Sequence, residues 1–538
     1  AFGFPVVTKN LLLIVALMSV LLVPVALRPR QEKGAAGGDR TVVIITPHNE
    51  AIRYEFRQAF ESHYLAKTGR KVRVDYRTPG GTSEIARYVS GEYLAAFHHH
   101  WTRILQKPWS TEVKHAFANP KMPAKPGDTV EQQARRVFLD TEVGCGIDLF
   151  FGGGSFDSQQ LAAAGYLVES GFVRAHPELF NDRVIPQTLS GEPFWDPRGR
   201  WMGTVISSFG ICFNTDALQR RSLPHAPVRW EDLADPRYFG AIALANPSQS
   251  SSVNKAIEML IQQQIHEEVS KGKASGEAPE KSVAEGWNRA MRLLMKIGAN
   301  ARYFTDSSTK IPLDVSAGDA AAGMTIDFYG RFQSEAMKQS DGTSPVRYVS
   351  ALHGTSVGVD PIGLFRGAPN ADVAQEFIAF VFSESGQRLW NWKPGTPGGP
   401  RQYALRRSPI LPALYAAEFK PLRSDPELNP YETARTFTYH EQWTGALFRS
   451  IAFSMRVMCI DPHHELVEAW GALIEAGFPP EAMAAFSQTA PIDYAAASGP
   501  IREALGPNKM REVQLARQLA EQFRRQYRRV TELARAGK

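Results

Sequence analysis

One local arrangement occurs three times in the first third of the chain: an apolar run, a short loop of glycine, proline or small polar residues, and a helix start. It reads TVVIITPHNEAIRYEF from Thr41, KVRVDYRTPGGTSEIARYV from Lys71 and GIDLFFGGGSFDSQQLAAAGYLVE from Gly146. Strands that each feed directly into a helix lie parallel in one sheet, with the helices covering its faces. In such sheets the loops at the carboxyl ends of the strands converge, and ligands sit there. The repeat therefore fixes an α/β class and places the candidate site at the loop tips.

The loop residues supply the first candidates: Thr46, His48 and Asn49, then Gly80, Gly81, Thr82 and Ser83, then Gly153, Gly154 and Ser155. A second α/β section begins near RWEDLADPRYFGAIALANPSQSSSV. Its strand IALA runs into a polar loop with Ser250, Ser251 and Ser252, and Asp327 and Tyr329 follow the apolar run AAAGMTI. A neighbouring loop, RYFTDSSTK, adds Asp306. Helix starts present unpaired N–H groups and a partial positive charge, which suit carboxylate or phosphate oxygens. Thr82, Ser83 and Ser155 would serve equally as ordinary N-caps. Four such loops aimed at one cleft favour binding over capping alone.

Other chemistry finds little support. His98, His99 and His100 are consecutive, so on a helix they point in different directions, as surface histidines do. GGSFD lacks the final glycine of a nucleophile elbow, no Walker lysine follows a glycine-rich turn, and no dinucleotide fingerprint is present. Cys145, Cys212 and Cys459 have no metal or redox spacing. The expectation is a protein that is not an enzyme and has no cofactor of its own, although its ligand could bear a metal.

Length and charge bound the rest. A chain of 538 residues, 43% hydrophobic and 22% charged, is globular and too long for one core. The net charge of +6 resides in the tail: Lys509 to Lys538 holds nine Lys or Arg against three Glu. With the remainder near neutral, no nucleic-acid surface is expected. The tail helix repeats apolar residues at Ala516, Leu519, Phe523, Tyr527, Val530 and Ala534. This narrow stripe lacks tryptophan and is better suited to a packing partner for the C-terminal helices than to a lipid surface. Residues 11–27, LLLIVALMSVLLVPVAL, carry no charge and are read as an uncleaved signal-anchor helix. The flanking basic residues by themselves favour the opposite orientation, with the bulk inside.

These pieces, together with ISSFGICFNTDAL from Ile206 and VGVDPIGLF from Val357, resemble the type 2 periplasmic solute-binding proteins of ABC importers. The resemblance is to the branch that includes ferric-ion, thiamine and polyamine binders, and it covers roughly residues 41–420. It implies a two-lobed α/β type 2 periplasmic-binding-protein fold (a Venus flytrap) behind an N-terminal transmembrane helix. The expected division is an anchor over 1–30, a linker over 31–40, and a first lobe over 41–225 with a helical insert at 91–140. A second lobe over 226–350, a return to the first lobe over 351–424, and a helical C-terminal extension over 425–538 complete it. The resemblance implies a membrane-anchored extracytoplasmic binder that captures a small polar, oxyanion-bearing ligand and delivers it to an ABC permease. Its place would be the inner membrane, single-pass, with the bulk periplasmic or extracellular. Ferric-binding members supply a histidine where His48 stands, a glutamate where Gly153 stands, and paired tyrosines where only Tyr329 occurs, so tight binding of bare ferric ion is not expected. The alternatives are an accessory or scaffold subunit of a membrane complex, or a hydrolase using Ser155.

Overall fold

The computed structural model describes residues 40–123, 129–223, 225–506 and 509–537. The anchor expected over residues 11–27 and the linker before Arg40 lie outside the described residues. Among the described residues no helix is long and apolar enough to cross a membrane.

The three repeats form β1 (Arg40–Ile45) with α1 (Glu50–Thr68), β2 (Val72–Arg77) with α2 (Thr82–His99), and β3 (Leu149–Phe151) with α3 (Ser155–Ala164). β1 pairs in parallel with both β2 and β3. Helices starting at once behind each strand leave no length for an antiparallel return. α2 runs through a π-turn at His100–Ile104 and is followed by Thr111–Ala116 and Val130–Asp140, so the insert is helical.

β4 (Met202–Asn214) is buried along its whole length and belongs to two sheets. Continuing along the chain come β5 (Ile242–Ala245), α4 (Ser251–Ser275), α5 (Pro279–Asn300), β6 (Ala301–Thr305) and β7 (Ala322–Ile326). They are followed by α6 (Asp327–Ala336), β8 (Val346–Ser350) and β9 (Val357–Phe365). The first part of β4, Met202 to Ser208, pairs antiparallel with β9, giving the order β2-β1-β3-β9-β4. From Phe209 onward the same strand pairs with β7 on one edge and β8 on the other, giving β8-β4-β7-β5-β6. Two sheets thus share one strand, and the second joint is the short segment between β8 and β9. This is a mixed α/β fold of two lobes with a double connection.

The C-terminal extension packs on the second lobe. Trp287 on α5 donates to the Ile492 carbonyl at 2.9 Å, and Trp470 donates to Asn300 Oδ1 at 2.8 Å. Trp470 lies on α7 (His463–Glu475), which packs against α8 (Lys509–Arg535). The apolar stripe of α8 is buried, with Phe523, Tyr527 and Val530 fully enclosed. Its arginines reach out to Glu465 and Glu468 on α7.

Candidate functional site

Between the lobes lies a cavity of about 530 Å³. From the first lobe it is lined by His48, Gly80, Gly81, Thr82, Gly153, Gly154 and Ser155; from the second, by Ser250, Ser251, Ser252, Asp306 and Tyr329. The loops of all three repeats therefore meet the serine loop of the second lobe. The lobes touch beside it, since a Cβ on Gly81 would stand 3.2 Å from the Gln249 carbonyl.

Four expected residues lie off the cavity, each for a local reason. Thr46 is fully buried, and its Oγ1 turns back to accept from the His48 N–H at 3.1 Å. Asn49 caps α1 through the Ile52 N–H. Ser83 sits one residue inside α2 and does not reach the wall. Asp327, expected to project from the second lobe toward ligand, instead opens α6 and pairs with Arg331 at 2.9 Å, as a buried carboxylate must. Asp306 lines the rim and is exposed, paired with Lys310 at 2.7 Å.

The helix starts differ in what caps them. α4 is capped by Ser250, whose Oγ accepts from the Val253 N–H. α2 and α3 are preceded by Gly81 and Gly154 and have no side-chain cap, so their first N–H groups are open to a ligand. Gly153 has φ of +80°, and a Cβ there would meet Thr82 Cγ2 at 2.8 Å, so the backbone turn and the close packing both require glycine.

His48 is almost fully buried, edge-on to Phe151 with ring centroids 4.7 Å apart. Its Nε2 lies 3.2 Å from Arg407 Nη1 and 3.6 Å from Asp360 Oδ2. A guanidinium can only donate, so Nε2 accepts and the ring proton belongs on Nδ1. Burial, reinforced by the Arg407 charge, holds the imidazole below its ordinary pKa and hence neutral. Nδ1 is buried with no partner in the protein. The result is an unused donor on a ring that lines the cavity. Arg407 is fully buried beneath it, bonded to Ser207 Oγ at 2.6 Å and to Asp360 at 2.7 Å, with the Phe328 ring 4.0 Å away. Burial pulls Asp360 upward, but the Arg407 guanidinium holds it below the usual carboxylate range.

The opposing charges are acidic. Glu84 pairs with Arg87 at 2.5 Å. Lys255 lies 2.8 Å from both Glu192 and Glu258, with its ammonium 3.9 Å above the Tyr439 ring. Against the penalty of burial, those two carboxylates keep Lys255 protonated. Asp157, in the first turn of α3, shares the cavity wall with Ser251 of the other lobe, and burial pushes its carboxyl up to about 6. Its Oδ2 has no partner. Tyr329 is half-buried, and desolvation raises its phenol to about 12, so it stays protonated. Among the described residues no hydrogen bond joins Ser155 to a histidine or a carboxylate, and no group of three or more His, Cys, Asp and Glu could hold a metal.

Sequence reasoning did not single out Asp157, Glu192, Lys255, Glu258, Asp360 or Arg407. Two signals were present. Asp360 interrupts the apolar strand VGVDPIGLF, and Asn254, Glu258 and Gln262 form a polar stripe at spacing four on an otherwise apolar helix.

Residues 147–403 match the family model described as bacterial extracellular solute-binding protein. The resemblance carried by the sequence motifs holds over that stretch. An uncharacterized protein of Haemophilus influenzae is 25% identical over 254 residues, which are 46% of this chain and 61% of that protein. The phosphoglycerate transport regulatory protein PgtC of Salmonella typhimurium is 24% identical over 209 residues, 39% of this chain and 43% of that protein. The chain thus spans less than two thirds of these curated relatives. Among solved structures, the periplasmic binding protein AfuA of Actinobacillus pleuropneumoniae with fructose-6-phosphate bound is 16% identical. That match covers 78% of this chain and 98% of the other at a TM-score of 0.48. Iron-bound HitA of Pseudomonas aeruginosa is 15% identical, covering 77% and 98% at 0.44.

Proposed function

We propose, from the premise that residues 147–403 carry the pattern of the extracellular solute-binding family, that this chain captures a small hydroxylated oxyanion outside the cytoplasm. A phosphate ester of a polyol or hydroxy acid is the ligand class, and an ABC importer is the recipient. The observation that carries this is a convergence: two glycine-capped helix starts without side-chain caps, the serine loop of the second lobe and the ring of His48 border one cavity between two lobes. Each such donor bonds a charged oxygen, at roughly 1.5–3 kcal/mol when desolvated. The acidic lining is accounted for by the same ligand class. Glu84, Asp306 and Asp360 are already paired with basic side chains, and Glu192 and Glu258 share Lys255. Asp157, which lines the cavity from the first turn of α3, accepts a hydroxyl from the ligand body. A ligand that touches both lobes favours the closed arrangement by its differential contacts, and its release requires the lobes to part.

The transport name of the Salmonella relative agrees with a phosphorylated three-carbon ligand, and its regulatory name favours a second reading. In that reading the chain is an accessory subunit that reports on ligand to a membrane partner. The helical extension that lines the cavity with Tyr439 and Phe448 supports it.

A thermal-shift and calorimetric screen separates the classes. The probes are 3-phosphoglycerate, fructose 6-phosphate, inorganic phosphate and citrate, set against spermidine and thiamine. Stabilisation by the phosphate esters is expected. Stabilisation by the cationic compounds alone would sink the oxyanion assignment and leave the helix starts as structural features.

A further inference from the structure

A two-lobed binding protein with a double connection opens freely at its hinge unless something else spans the lobes. Here residues 437–448 of the C-terminal extension do so, and in passing they line the cavity with Tyr439, Glu441, Gly445 and Phe448.

On the second-lobe side this segment is fixed by the polar stripe of α4. Asn254 Nδ2 donates to the Phe448 carbonyl at 2.8 Å. Glu258 Oε1 accepts from the Tyr439 hydroxyl at 2.9 Å and from Thr444 Oγ1 at 2.6 Å. Gln262 donates to the His440 carbonyl and to Thr444 Oγ1, and accepts from the His440 N–H at 3.0 Å. All three side chains are buried, so these bonds lie where water does not compete.

The attachment on the first-lobe side is thinner. The Tyr439 N–H donates to the Ser190 carbonyl at 2.8 Å, and the Ser190 hydroxyl donates to the Phe437 carbonyl. Phe448 packs on Phe156 of α3, ring centroids 4.5 Å apart. Beside them, Lys255 links Glu258 on α4 to Glu192 in the Thr188–Pro193 hairpin.

We propose that residues 437–448 are a strap that forms a third wall of the binding site, ties the lobes together and so limits the size of ligand the cleft admits. The proposal rests on the solute-binding reading for the identity of the ligand, but not for the geometry of the strap. Two grips of unequal strength determine how it works. The strap stays with the second lobe and lets go of the Ser190 hairpin and Phe156 when the cleft widens.

The test uses nitroxide spin labels at the exposed positions Gln160 on α3 and Leu313 on the second lobe, in a Cys145→Ser background. In the otherwise unmodified chain a single narrow interlobe distance is expected, the same with and without 3-phosphoglycerate. Ser190→Gly with Phe448→Ala, which leaves the α4 grip intact, should add a longer-distance population. The same pair should also admit a bulkier phosphate such as a nucleoside diphosphate sugar, and release bound 3-phosphoglycerate about tenfold faster. Two distances in the unmodified chain that merge on adding 3-phosphoglycerate would mean a free hinge, and the proposal would be wrong. Identical single distances in the unmodified and doubly substituted chains would also overturn it, since the strap would then not be what restrains the lobes. If no phosphorylated probe binds at all, the functional reading fails while the distance measurement still decides the strap.

Discussion

Substituting His48 by asparagine or by glutamine separates the work of its two ring nitrogens. An asparagine amide nitrogen falls near the place of Nδ1, and a glutamine amide near the place of Nε2. His48→Gln keeps an acceptor for Arg407 Nη1 and removes the unpartnered Nδ1 donor; His48→Asn does the reverse. Both remove the ring that packs on Phe151 and Trp390, so their packing losses largely cancel in the comparison. Arg407 keeps Ser207 and Asp360 in either variant, which limits the damage beneath the site. A hydrogen bond to a charged oxygen contributes about 1.5–3 kcal/mol, so losing the Nδ1 donor should weaken binding about 10- to 150-fold. Isothermal titration with 3-phosphoglycerate and fructose 6-phosphate reads this directly. Glutamine is expected to show that loss, and asparagine to stay within about threefold of the unmodified chain. Equal binding by His48→Gln and the unmodified chain would refute the tautomer argument, as would asparagine failing as badly as glutamine.

Removing the cation from the buried triad by Lys255→Met leaves Glu192 and Glu258 facing each other unpaired. Denaturant unfolding should show a loss of about 3–5 kcal/mol, recovered in part by adding Glu192→Gln. Asp157 titrates near 6 when folded because burial disfavours its charge, whereas the unfolded carboxyl ionises near its ordinary 3.8. Stability therefore falls as pH rises between those values, and the deficit is complete above about pH 6. Asp157→Asn should raise Tm at about pH 8 and leave it unchanged near pH 4, and a uniform shift at both would contradict the burial argument. Titration with ferric citrate should give no tyrosinate charge-transfer band, because Tyr329 holds its proton up to about 12 and His48 Nε2 is taken by Arg407. A strong visible band abolished by Tyr329→Phe would show that inference to be mistaken.

How far the sequence disclosed the site depended on the kind of interaction involved. The Thr46–Asn49 loop, the two glycine loops and the serine loop announce themselves locally, because a helix start behind a strand is a short-range pattern. Those loops do meet at one cavity. Asp327 looked like an equivalent candidate, yet its partner Arg331 sits one turn along the same helix, and the pair satisfies itself. Arg407 and Asp360 could not be placed this way, since each needs the other across 47 positions and His48 across more than 300. Lys255, Glu192 and Tyr439 come from three separate parts of the chain, and no local period links them. The two sheets are legible as strand–loop–helix grammar; that β4 serves both is not, because a strand of apolar and small residues reads the same in one sheet or two.

The position of β9 has a consequence for how the chain is made. It enters the first sheet between β3 and β4, pairing antiparallel with both, after the whole second lobe has been synthesised. Until residue 357 is available, a nascent chain lacks the strand that joins LFF of β3 to MGTVISS of β4, segments that are buried throughout in the finished fold. Strand edges left unpaired recruit any extended segment within reach, and pairings this distant in sequence form slowly. A chain truncated after β8 should therefore aggregate even though its second lobe has every strand it needs. Supplying VGVDPIGLF in trans, as a peptide that completes the sheet, should slow that aggregation, while the second-lobe surface normally covered by the C-terminal extension stays bare.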